Sequence, residues 1–292
     1  MGLDFAKVHS YCTLKCMKIK LVAVVGPTAV GKSDYAVEYA LKHNGEVISA
    51  DSRQVYTGLD IGTGKITKEE MRGVRHHLLD VCDPSEKFNV EKYRVLAEQA
   101  ITDIVSRGKL PIICGGTGFY IDAVVNNINY PHVPHDTELR SELEGKDAVE
   151  LVSILESLDS EYALKLNNSE RNNIHRLVRS IEIAKALGKI PAIVEEESKY
   201  DVTWINLNLP KETLRERINI RLIKRIENGM IDEVINLNRN GLSYERMEEL
   251  GLEYRYIARY LQNMISKEEM IERLQFEIWH YAKRQILWFK GK

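Results

Sequence analysis

The stretch that decides the fold is AVVGPTAVGKSD, which runs from Ala23 to Asp34 near the start of the 292-residue chain. Gly26–Ser33 matches the phosphate-loop pattern G-x-x-x-x-G-K-[ST]. In such a loop, backbone N–H groups turn inward around an anion, a lysine adds positive charge, and the dipole of the following helix favours negative charge. The sequence therefore predicts a phosphate site. Whether the bound phosphate is a fuel, a transferred group or a leaving group is left open by the loop itself.

Residues of this loop are candidate phosphate ligands because their backbone N–H groups or side chains border the turn. They are Gly26, Thr28, Ala29, Val30, Gly31, Lys32 and Ser33. The hydroxyl of Ser33 can also ligate Mg²⁺, which makes Ser33 the predicted metal ligand and Mg²⁺ the predicted cofactor.

The residues on either side of the loop predict a parallel sheet. Lys20–Gly26 and Glu46–Asp51 are apolar runs typical of strands, and Ser33–Gly45 between them has helical spacing. Strand, helix and strand in this order form a βαβ unit, whose strands are parallel. Later strand candidates are His76–Asp83, Leu110–Gly118 and Thr203–Leu209, with a helical pattern at Val90–Arg107. We predict an α/β fold: a P-loop NTPase-like core with a parallel β-sheet flanked by helices.

The character of the chain changes between residues 131 and 200. A proline-marked stretch, NYPHVPHD, is followed by polar, helical sequence without a strand candidate. This pattern predicts an all-helical insertion domain at 131–200. The catalytic core would then comprise 18–130 and 201–292, preceded by an N-terminal extension at 1–17.

Composition limits the classes of partner. The formal net charge is −2, so a polyanion must meet a local basic surface rather than a global field. Four cysteines fit a reducing compartment better than a disulfide framework. No apolar run reaches the ~20 residues of a membrane helix, and the first 17 residues lack the apolar segment of a signal peptide. We expect a cytoplasmic monomer without a membrane partner.

Asp51 is the candidate acid of the site. A P-loop ATPase or kinase usually carries a Mg²⁺-binding aspartate after a later strand, but Leu110–Cys114 runs into GGTGFY without an acid. Asp51 instead ends the second predicted strand, and the carboxyl ends of parallel strands face the ligand crevice. Such a carboxylate can act as a general base on an incoming nucleophile. The alternative is a structural aspartate that caps a turn.

Eight stretches in order and at their distances resemble the tRNA dimethylallyltransferase (tRNA isopentenyltransferase) family. They are GPTAVGKS, ISADSRQVYTGLDIGTGK, HHLLDVCDPSEKFNVEKY, PIICGGTGFY, LNNSERNNIHRLVRSIEI, LRERINIRLIKRIENGMIDEV, LGLEYRYIARYL and YAKRQILWFK. The resemblance covers roughly residues 18–290. ADSRQVY and the closing AKRQ-x-LW are more specific to the family than the phosphate loop, which many unrelated proteins share.

The resemblance implies a prenyl transfer. Members of the family move a dimethylallyl group from dimethylallyl diphosphate to N6 of the adenosine 3′-adjacent to the anticodon, in tRNAs reading U-starting codons, and release pyrophosphate. The phosphate loop would then hold the pyrophosphate of the donor with Mg²⁺, so the phosphate is a leaving group. The partners implied are dimethylallyl diphosphate and the anticodon stem-loop of tRNA.

The resemblance also implies roles for individual residues. Asp51 would orient the adenine amine and accept its proton, and Thr117 would lie beside the reacting groups. Arg217 and Arg221 would reach the diphosphate. The tRNA-contacting residues implied, or suggested by their charge, are Asp51, Ser52, Arg53, Gln54, Thr117, Arg140, Asn172, Asn173, Ile174, His175, Arg176, Lys283 and Arg284.

Arg217, Arg221 and Arg225 lie four residues apart on a predicted helix and share one face. No acid stands three or four positions from any of them, so the cationic stripe is expected to meet an anion; a solvated basic face is the alternative. In the last helix, basic residues alternate with aromatic ones. The aromatic residues either contact RNA or anchor the helix to the core.

The chain departs from the family pattern at three places. Ser33 replaces a commoner threonine and keeps the hydroxyl. Asn172–Arg176 replaces the usual Gln-Arg-Ile-x-Arg, which bears on tRNA affinity more than on chemistry. Leu250–Tyr254 reads LGLEY where Ala-Ile-Gly-Tyr is usual.

Three alternatives stay open. A P-loop small-molecule kinase would bind ATP through the same motif and transfer its γ-phosphate. An adenine-nucleotide isopentenyltransferase would use the same donor but a free nucleotide as acceptor. A non-catalytic RNA-binding module is the third, although Lys32, Ser33, Asp51 and Thr117 are all present.

Overall fold

The computed structural model describes residues 18–128, 130–192 and 197–292. The described part divides into two compact units. One contains the residues up to Asn127 together with Glu197–Lys292, and the other contains the residues between Ile128 and Glu196. The N-terminal extension predicted at 1–17 lies outside the described residues.

A five-stranded sheet forms the centre of the larger unit. Its strands are β1 (Ile19–Val25), β2 (Gly45–Ser49), β3 (His76–His77), β4 (Leu110–Cys114) and β5 (Tyr200–Asn206). The spatial order is β3-β2-β4-β1-β5, and every neighbouring pair is parallel. The predicted α/β class with a parallel sheet is therefore confirmed.

The helices follow in chain order. They are α1 (Lys32–His43), α2 (Lys68–Met71), α3 (Val90–Ser106), α4 (Gly118–Val125), α5 (Thr137–Leu143), α6 (Ala148–Leu158), α7 (Ser160–Lys165), α8 (Asn168–Arg171), α9 (Ile174–Leu187), α10 (Lys211–Glu227), α11 (Met230–Arg239), α12 (Tyr244–Leu250), α13 (Leu252–Leu261) and α14 (Lys267–Trp288). Helices α5–α9 belong to the smaller unit, where no strand occurs among the described residues.

The central strands are apolar because both faces of the sheet are covered. On β1, Leu21, Ala23 and Val25 pack on one side with α3 and α4, whereas Val22 and Val24 pack on the other side with α1. Helix α1 ends at Asn44, which adopts the left-handed conformation of a helix C-cap.

One predicted strand is much shorter than expected. His76–Asp83 was predicted to be extended throughout, but only His76 and His77 pair with β2. Leu78 (φ 62°) and Asp80 (φ 56°) are left-handed, a conformation that ends a strand. The chain turns here instead and brings Val81 and Cys82 against Val55 through backbone hydrogen bonds.

The smaller unit packs its helices around a separate apolar core that includes Leu151, Leu155, Leu177 and Ile181. This unit spans residues 128–196, and the insertion was predicted at 131–200; Tyr200 belongs to β5 of the sheet.

Candidate active site

The phosphate loop joins β1 to α1 through three residues of positive φ: Gly26 (140°), Ala29 (62°) and Gly31 (100°). Gly26 has no room for a side chain, because a Cβ there would collide with the backbone carbonyl of Leu207. Gly31 caps α1 in the left-handed region, which favours glycine. The local sequence therefore forms the concave turn and helix start that an anion site requires.

A cavity of about 330 Å³ lies at this loop, and we call it the phosphate-loop cavity. Its lining includes Thr28, Ala29, Gly31, Lys32 and Ser33 from the loop. Two of the seven predicted phosphate ligands, Gly26 and Val30, are not part of this lining. The Val30 side chain is buried in the apolar core instead.

Lys32 is the cation of the loop. Its Nζ donates a hydrogen bond to the carbonyl of Pro27 at 2.7 Å. Burial lowers the pKa of Lys32 to about 8, opposed by the charge of nearby Asp51. Cys114 at the end of β4 lines the same cavity, and burial raises the pKa of its thiol to about 12.

A second cavity of about 320 Å³ borders the first, and we call it the Arg53 cavity. Thr28, Asp51, Thr63 and Tyr281 line both cavities. The remaining lining of the Arg53 cavity is Ser52, Arg53, Gly62, Arg225, Leu250, Gly251, Leu252, Glu253, Arg255, Glu277, Ile278 and Arg284. The site therefore consists of two adjoining chambers.

Asp51 stands where the two chambers meet. It directly follows Ala50, at the carboxyl end of β2, as the parallel sheet predicts. Its Oδ1 accepts hydrogen bonds from the backbone N–H of Arg53 at 2.9 Å and of Gln54 at 3.4 Å. Asp51 thus caps a turn, the structural alternative raised by the sequence, and also borders both cavities.

Thr117 is hydrogen-bonded to Ser52, the residue that follows Asp51. Its Oγ1 accepts a hydrogen bond from the backbone N–H of Ser52 at 3.0 Å, and its side chain is hydrogen-bonded to Tyr281. The structure therefore brings Thr117 beside the Asp51 turn, although it is not part of either cavity's lining.

The predicted arginine stripe is divided between the two chambers. Arg217 and Arg221 line the phosphate-loop cavity, whereas Arg225 lines the Arg53 cavity. Burial, together with the charge of Arg225, lowers the pKa of Arg221 to about 10. Two cationic side chains therefore face the phosphate loop from α10.

Arg225 has an acidic partner, contrary to the expectation of an unpaired stripe. Its Nη1 lies 3.2 Å from Glu253 Oε1, and both side chains are nearly buried. Residues three or four positions from Arg225 do not reveal this pair, because Glu253 is 28 residues away, on α13. Glu253 is also the acid in LGLEY, so that departure from the family pattern places a counter-charge beside the arginines.

The segment Asp60–Gly64 lies against the guanidinium groups of Arg221 and Arg225. Arg225 Nη1 donates to the carbonyl of Gly62 at 3.1 Å, and a side chain at Gly64 would collide with the guanidinium groups of Arg221 and Arg225. Glu233 on α11 holds the segment by accepting hydrogen bonds from the backbone N–H groups of Asp60, Ile61 and Gly62. Sequence reasoning missed Glu233, for which no local pattern gave a signal.

Three further predicted contacts lie at the Asp51 turn and two on α14. Ser52 and Arg53 line the Arg53 cavity, and Gln54 lines the phosphate-loop cavity. On α14, Arg284 lines the Arg53 cavity with its guanidinium 5.9 Å from the ring centre of Tyr281, whereas Lys283 lines neither chamber.

The aromatic residues of α14 are divided between the two roles considered. Phe289, just past the helix, is buried in the core beside the sheet, and Trp279 packs, partly buried, against a separate apolar cluster. Trp288 donates its indole N–H to Asp122 at 2.7 Å. Tyr281 alone among these reaches the cavities. Most of this aromatic set therefore anchors the helix.

The remaining predicted contacts lie in the smaller unit. Arg140 binds the fully buried carboxylate of Glu182 through Nε at 2.5 Å and Nη2 at 3.0 Å. Residues 172–176 are exposed, and Asn173 caps α9 by accepting a hydrogen bond from the backbone N–H of Arg176 at 3.1 Å. Its replacement of the family's arginine thus provides a helix cap. Contact of these residues with tRNA stays a prediction.

Gln285 is a site residue that sequence reasoning missed. It is buried on α14, lines the phosphate-loop cavity, and hydrogen-bonds to both Thr28 and Gly116. The only signal in the sequence was its place in the AKRQ motif, where Lys283 and Arg284 drew attention through their charge.

A phosphate loop at the end of a parallel sheet, facing arginines and a carboxylate, defines a class of enzymes that act on phosphorylated substrates. Comparison with known proteins identifies the family within this class. The family model described as "IPP transferase" matches residues 54–292. The chain belongs to this family, and the predicted resemblance is confirmed.

Relatives and solved structures agree with this assignment. The chain is 43% identical to tRNA dimethylallyltransferase 2 of Treponema denticola, over 99% of this chain and 95% of that protein. It is 43% identical to the tRNA dimethylallyltransferase of Halalkalibacterium halodurans, over 94% and 90% of the two chains.

Among solved structures, the full-length tRNA isopentenylpyrophosphate transferase of Bacillus halodurans aligns with a TM-score of 0.70 at 40% identity, over 94% of this chain and 88% of that one. A eukaryotic dimethylallyltransferase described as acting on tRNA aligns with a TM-score of 0.77 at 30% identity, over 93% and 70%.

The Arg225–Glu253 pair generates a stability prediction. Glu253→Leu alone leaves a buried guanidinium unpaired and is expected to cost about 3–5 kcal/mol of unfolding free energy. Arg225→Met combined with Glu253→Leu removes both charges and is expected to cost much less. Urea unfolding of Glu253→Leu, of Arg225→Met and of the double variant measures the coupling energy between the two side chains. If the losses of unfolding free energy in the single variants add up to the loss in the double variant, the two residues are not paired.

Proposed function

We propose that the protein transfers a dimethylallyl group from dimethylallyl diphosphate to N6 of the adenosine 3′-adjacent to the anticodon, in tRNAs reading U-starting codons. The names of its relatives support tRNA as the acceptor. The observation that carries the proposal is the position of Asp51, which lines both chambers. One chamber suits a diphosphate and the other, on the far side of this carboxylate, suits the acceptor base.

In the proposed reaction, the N6 amine attacks C1 of the donor. The N6–C1 bond forms while the C1–O bond breaks, so the electron pair of C1–O leaves with pyrophosphate. The proton lost from N6 passes to the Asp51 carboxylate, the base nearest the junction of the chambers. Atoms and charge balance without water, ATP or an oxidant.

Positive charge stabilises the pyrophosphate as it leaves. Lys32 approaches from the phosphate loop, and Arg217 and Arg221 approach from α10 on the opposite wall. These charges act in a partly buried site, where electrostatic stabilisation of a leaving group is stronger than in water. Thr117 and Ser52 hold the turn that positions Asp51.

Mg²⁺ is part of the proposal because the residues present fit it. Mg²⁺ takes few protein ligands at phosphate sites and completes its shell with substrate oxygens and water. The Ser33 hydroxyl in the phosphate-loop cavity is such a ligand. In agreement, the described residues contain no cluster of three His, Cys, Asp or Glu side chains suited to a metal held by protein alone. Bound Mg²⁺ would neutralise diphosphate charge.

The tRNA would approach through the Arg53 cavity, where Arg53, Arg255 and Arg284 supply cationic contacts for the RNA backbone. Lys283 in the larger unit is a further proposed contact, and Arg140 and the exposed segment 172–176 are proposed tRNA contacts of the smaller unit by itself. A monomeric state and a cytoplasmic location complete the proposal. No helix among the described residues has the length and hydropathy to cross a membrane.

One assay tests the proposal against its alternatives. The protein is incubated with dimethylallyl diphosphate labelled in the prenyl group, Mg²⁺, and unmodified tRNA. Label in tRNA is the expected result. Label in AMP alone would favour the free-nucleotide enzyme, and ATP consumption with phosphate transfer to a small molecule would favour the kinase. A tRNA with guanosine at the target position serves as the negative control.

Asp51→Asn separates the role of a base from that of a turn cap. Asparagine can accept the same hydrogen bonds from Arg53 and Gln54, but it is not a base at neutral pH. We expect kcat to fall by ~10²–10⁴ while donor affinity is retained. Rapid-quench measurement of labelled tRNA checks this; wild-type turnover in Asp51→Asn would restrict Asp51 to the turn.

Arg217→Ala is expected to raise the KM for the donor by about 10- to 100-fold, because one charge-assisted hydrogen bond to a phosphate contributes about 1.5–3 kcal/mol. Arg215→Ala is the matched control: it lies on the same helix, is exposed, and lines neither cavity. Steady-state kinetics at saturating tRNA measure both variants. If Arg217→Ala and Arg215→Ala had the same KM for the donor, Arg217 would be assigned to a solvated face.

The lowered pKa of Lys32 predicts a pH dependence. Below its pKa of about 8, Lys32 is charged and attracts the diphosphate; above it, the charge is lost. We expect kcat/KM for the donor to fall as pH rises from 7 to 9, since kcat/KM reports the free enzyme. Lys32→Arg keeps its charge over this range and should flatten the profile. An equally steep fall in Lys32→Arg would assign the titration to another group.

A further inference from the structure

Gln285 makes two hydrogen bonds that cross the active site. Its Oε1 accepts a hydrogen bond from the backbone N–H of Thr28 at 2.7 Å, and its Nε2 donates one to the carbonyl of Gly116 at 2.9 Å. The residue is only 4% exposed. A buried carboxamide with both ends satisfied is rigidly held, because loss of either partner would leave a buried polar group unpaired.

The two loops that Gln285 joins belong to different parts of the site. Thr28 is in the phosphate loop after β1, whereas Gly116 is in the turn Gly115–Thr117 after β4. Gly116 and Gln285 are in close contact, since a Cβ at Gly116 would collide with Nε2 of Gln285. The side chain therefore acts as a spacer between the anion-binding loop and the turn that leads to Thr117.

Neighbouring residues on the same face of α14 hold the same turn. Tyr281 and Trp288 lie four residues before and three after Gln285, a spacing that places side chains on one side of a helix. Tyr281 is hydrogen-bonded to Thr117, and Trp288 packs closely against Gly118. Helix α14 thus contacts the turn at Gly116 and Thr117 and the start of α4 at Gly118.

The same helix also lines the Arg53 cavity. Ile278, Tyr281 and Arg284 face that chamber, whereas Gln285 faces the phosphate loop. One rigid helix therefore carries walls of both chambers, and Gln285 is where it contacts the loop that holds the anion.

We propose that Gln285 is a positioning residue for the transfer: it fixes the phosphate loop relative to the Gly115–Thr117 turn, and with it the donor's C1 relative to the acceptor amine. This inference rests on the proposed function. Gln285 touches neither reacting atom. Its effect is geometric, and a displacement of about 1 Å between reacting groups can reduce a rate by 10²-fold.

The carboxamide is suited to this role because it combines an acceptor and a donor at one distance from the helix. Methionine has a similar length and no strong hydrogen-bonding group, so Gln285→Met preserves packing while removing both hydrogen bonds. Gln285→Glu keeps an acceptor for Thr28 and replaces the donor with a negative charge beside the anion site. The two substitutions separate packing, hydrogen bonding and charge.

The test compares these variants with Gln275→Met, the same substitution on the same helix at a residue that lines neither cavity. At saturating substrates, Gln285→Met is expected to lower kcat by about 10- to 100-fold with the KM for tRNA within threefold. Gln285→Glu is expected to raise the KM for the donor by more than tenfold. Gln275→Met should match the wild type in kcat, in the KM for tRNA and in the KM for the donor.

Calorimetric titration with inorganic pyrophosphate and Mg²⁺ supplies a readout that does not depend on turnover. Gln285→Met is expected to bind pyrophosphate about 3- to 10-fold more weakly than Gln275→Met. Circular dichroism melting defines a temperature at which every variant is folded, and all measurements are made there.

The outcomes are distinct. Should the wild type label tRNA and Gln285→Met show an unchanged kcat, the positioning role is overturned, whatever the pyrophosphate affinity. Should the wild type fail to label tRNA, the proposed function falls, and the role of Gln285 in fixing the phosphate loop is decided by pyrophosphate affinity alone. Equal affinity in the two methionine variants would then overturn it.

Discussion

The site depends on holding several like charges around one cavity. Lys32, Arg217 and Arg221 border the phosphate-loop cavity, and Arg225 lies close to Arg221 and lines the Arg53 cavity. Unopposed, these charges would repel one another at low dielectric. Glu253 opposes the charge of Arg225 in a nearly buried ion pair, which leaves Lys32, Arg217 and Arg221 as the cations that line the phosphate-loop cavity. The apolar fold supplies the framework, and this balance of charge makes it an anion site.

Asp51, at the carboxyl end of β2, has two roles in the site. One oxygen of Asp51 organises the turn that carries Ser52, Arg53 and Gln54, and the same carboxylate separates the two chambers. A structural and a chemical role need not compete here, because a carboxylate has two oxygens and several lone pairs. The turn holds the proposed base in place before any substrate arrives.

Features that depend on neighbouring residues could be predicted from the sequence, whereas contacts between residues far apart in the chain could not. The phosphate loop, the parallel strands and Asp51 follow from patterns within a few residues, and each lies where expected. The Arg225–Glu253 pair, the anchoring of Asp60–Gly62 by Glu233, and the Gln285 bridge join residues 28 to 257 positions apart, for which periodicity gives no signal. The strand predicted at 76–83 failed for the same reason, because contacts with Val55 favour a turn after His77.

Cys114 gives the site a property of its own. The thiol lines the phosphate-loop cavity beside Lys32, but burial raises its pKa to about 12 and so favours the protonated form at neutral pH. Oxidants and alkylating reagents attack the thiolate rather than the thiol. The Cys114 thiol should therefore react slowly with such reagents, even though it lines a cavity that binds a charged substrate in the proposed reaction.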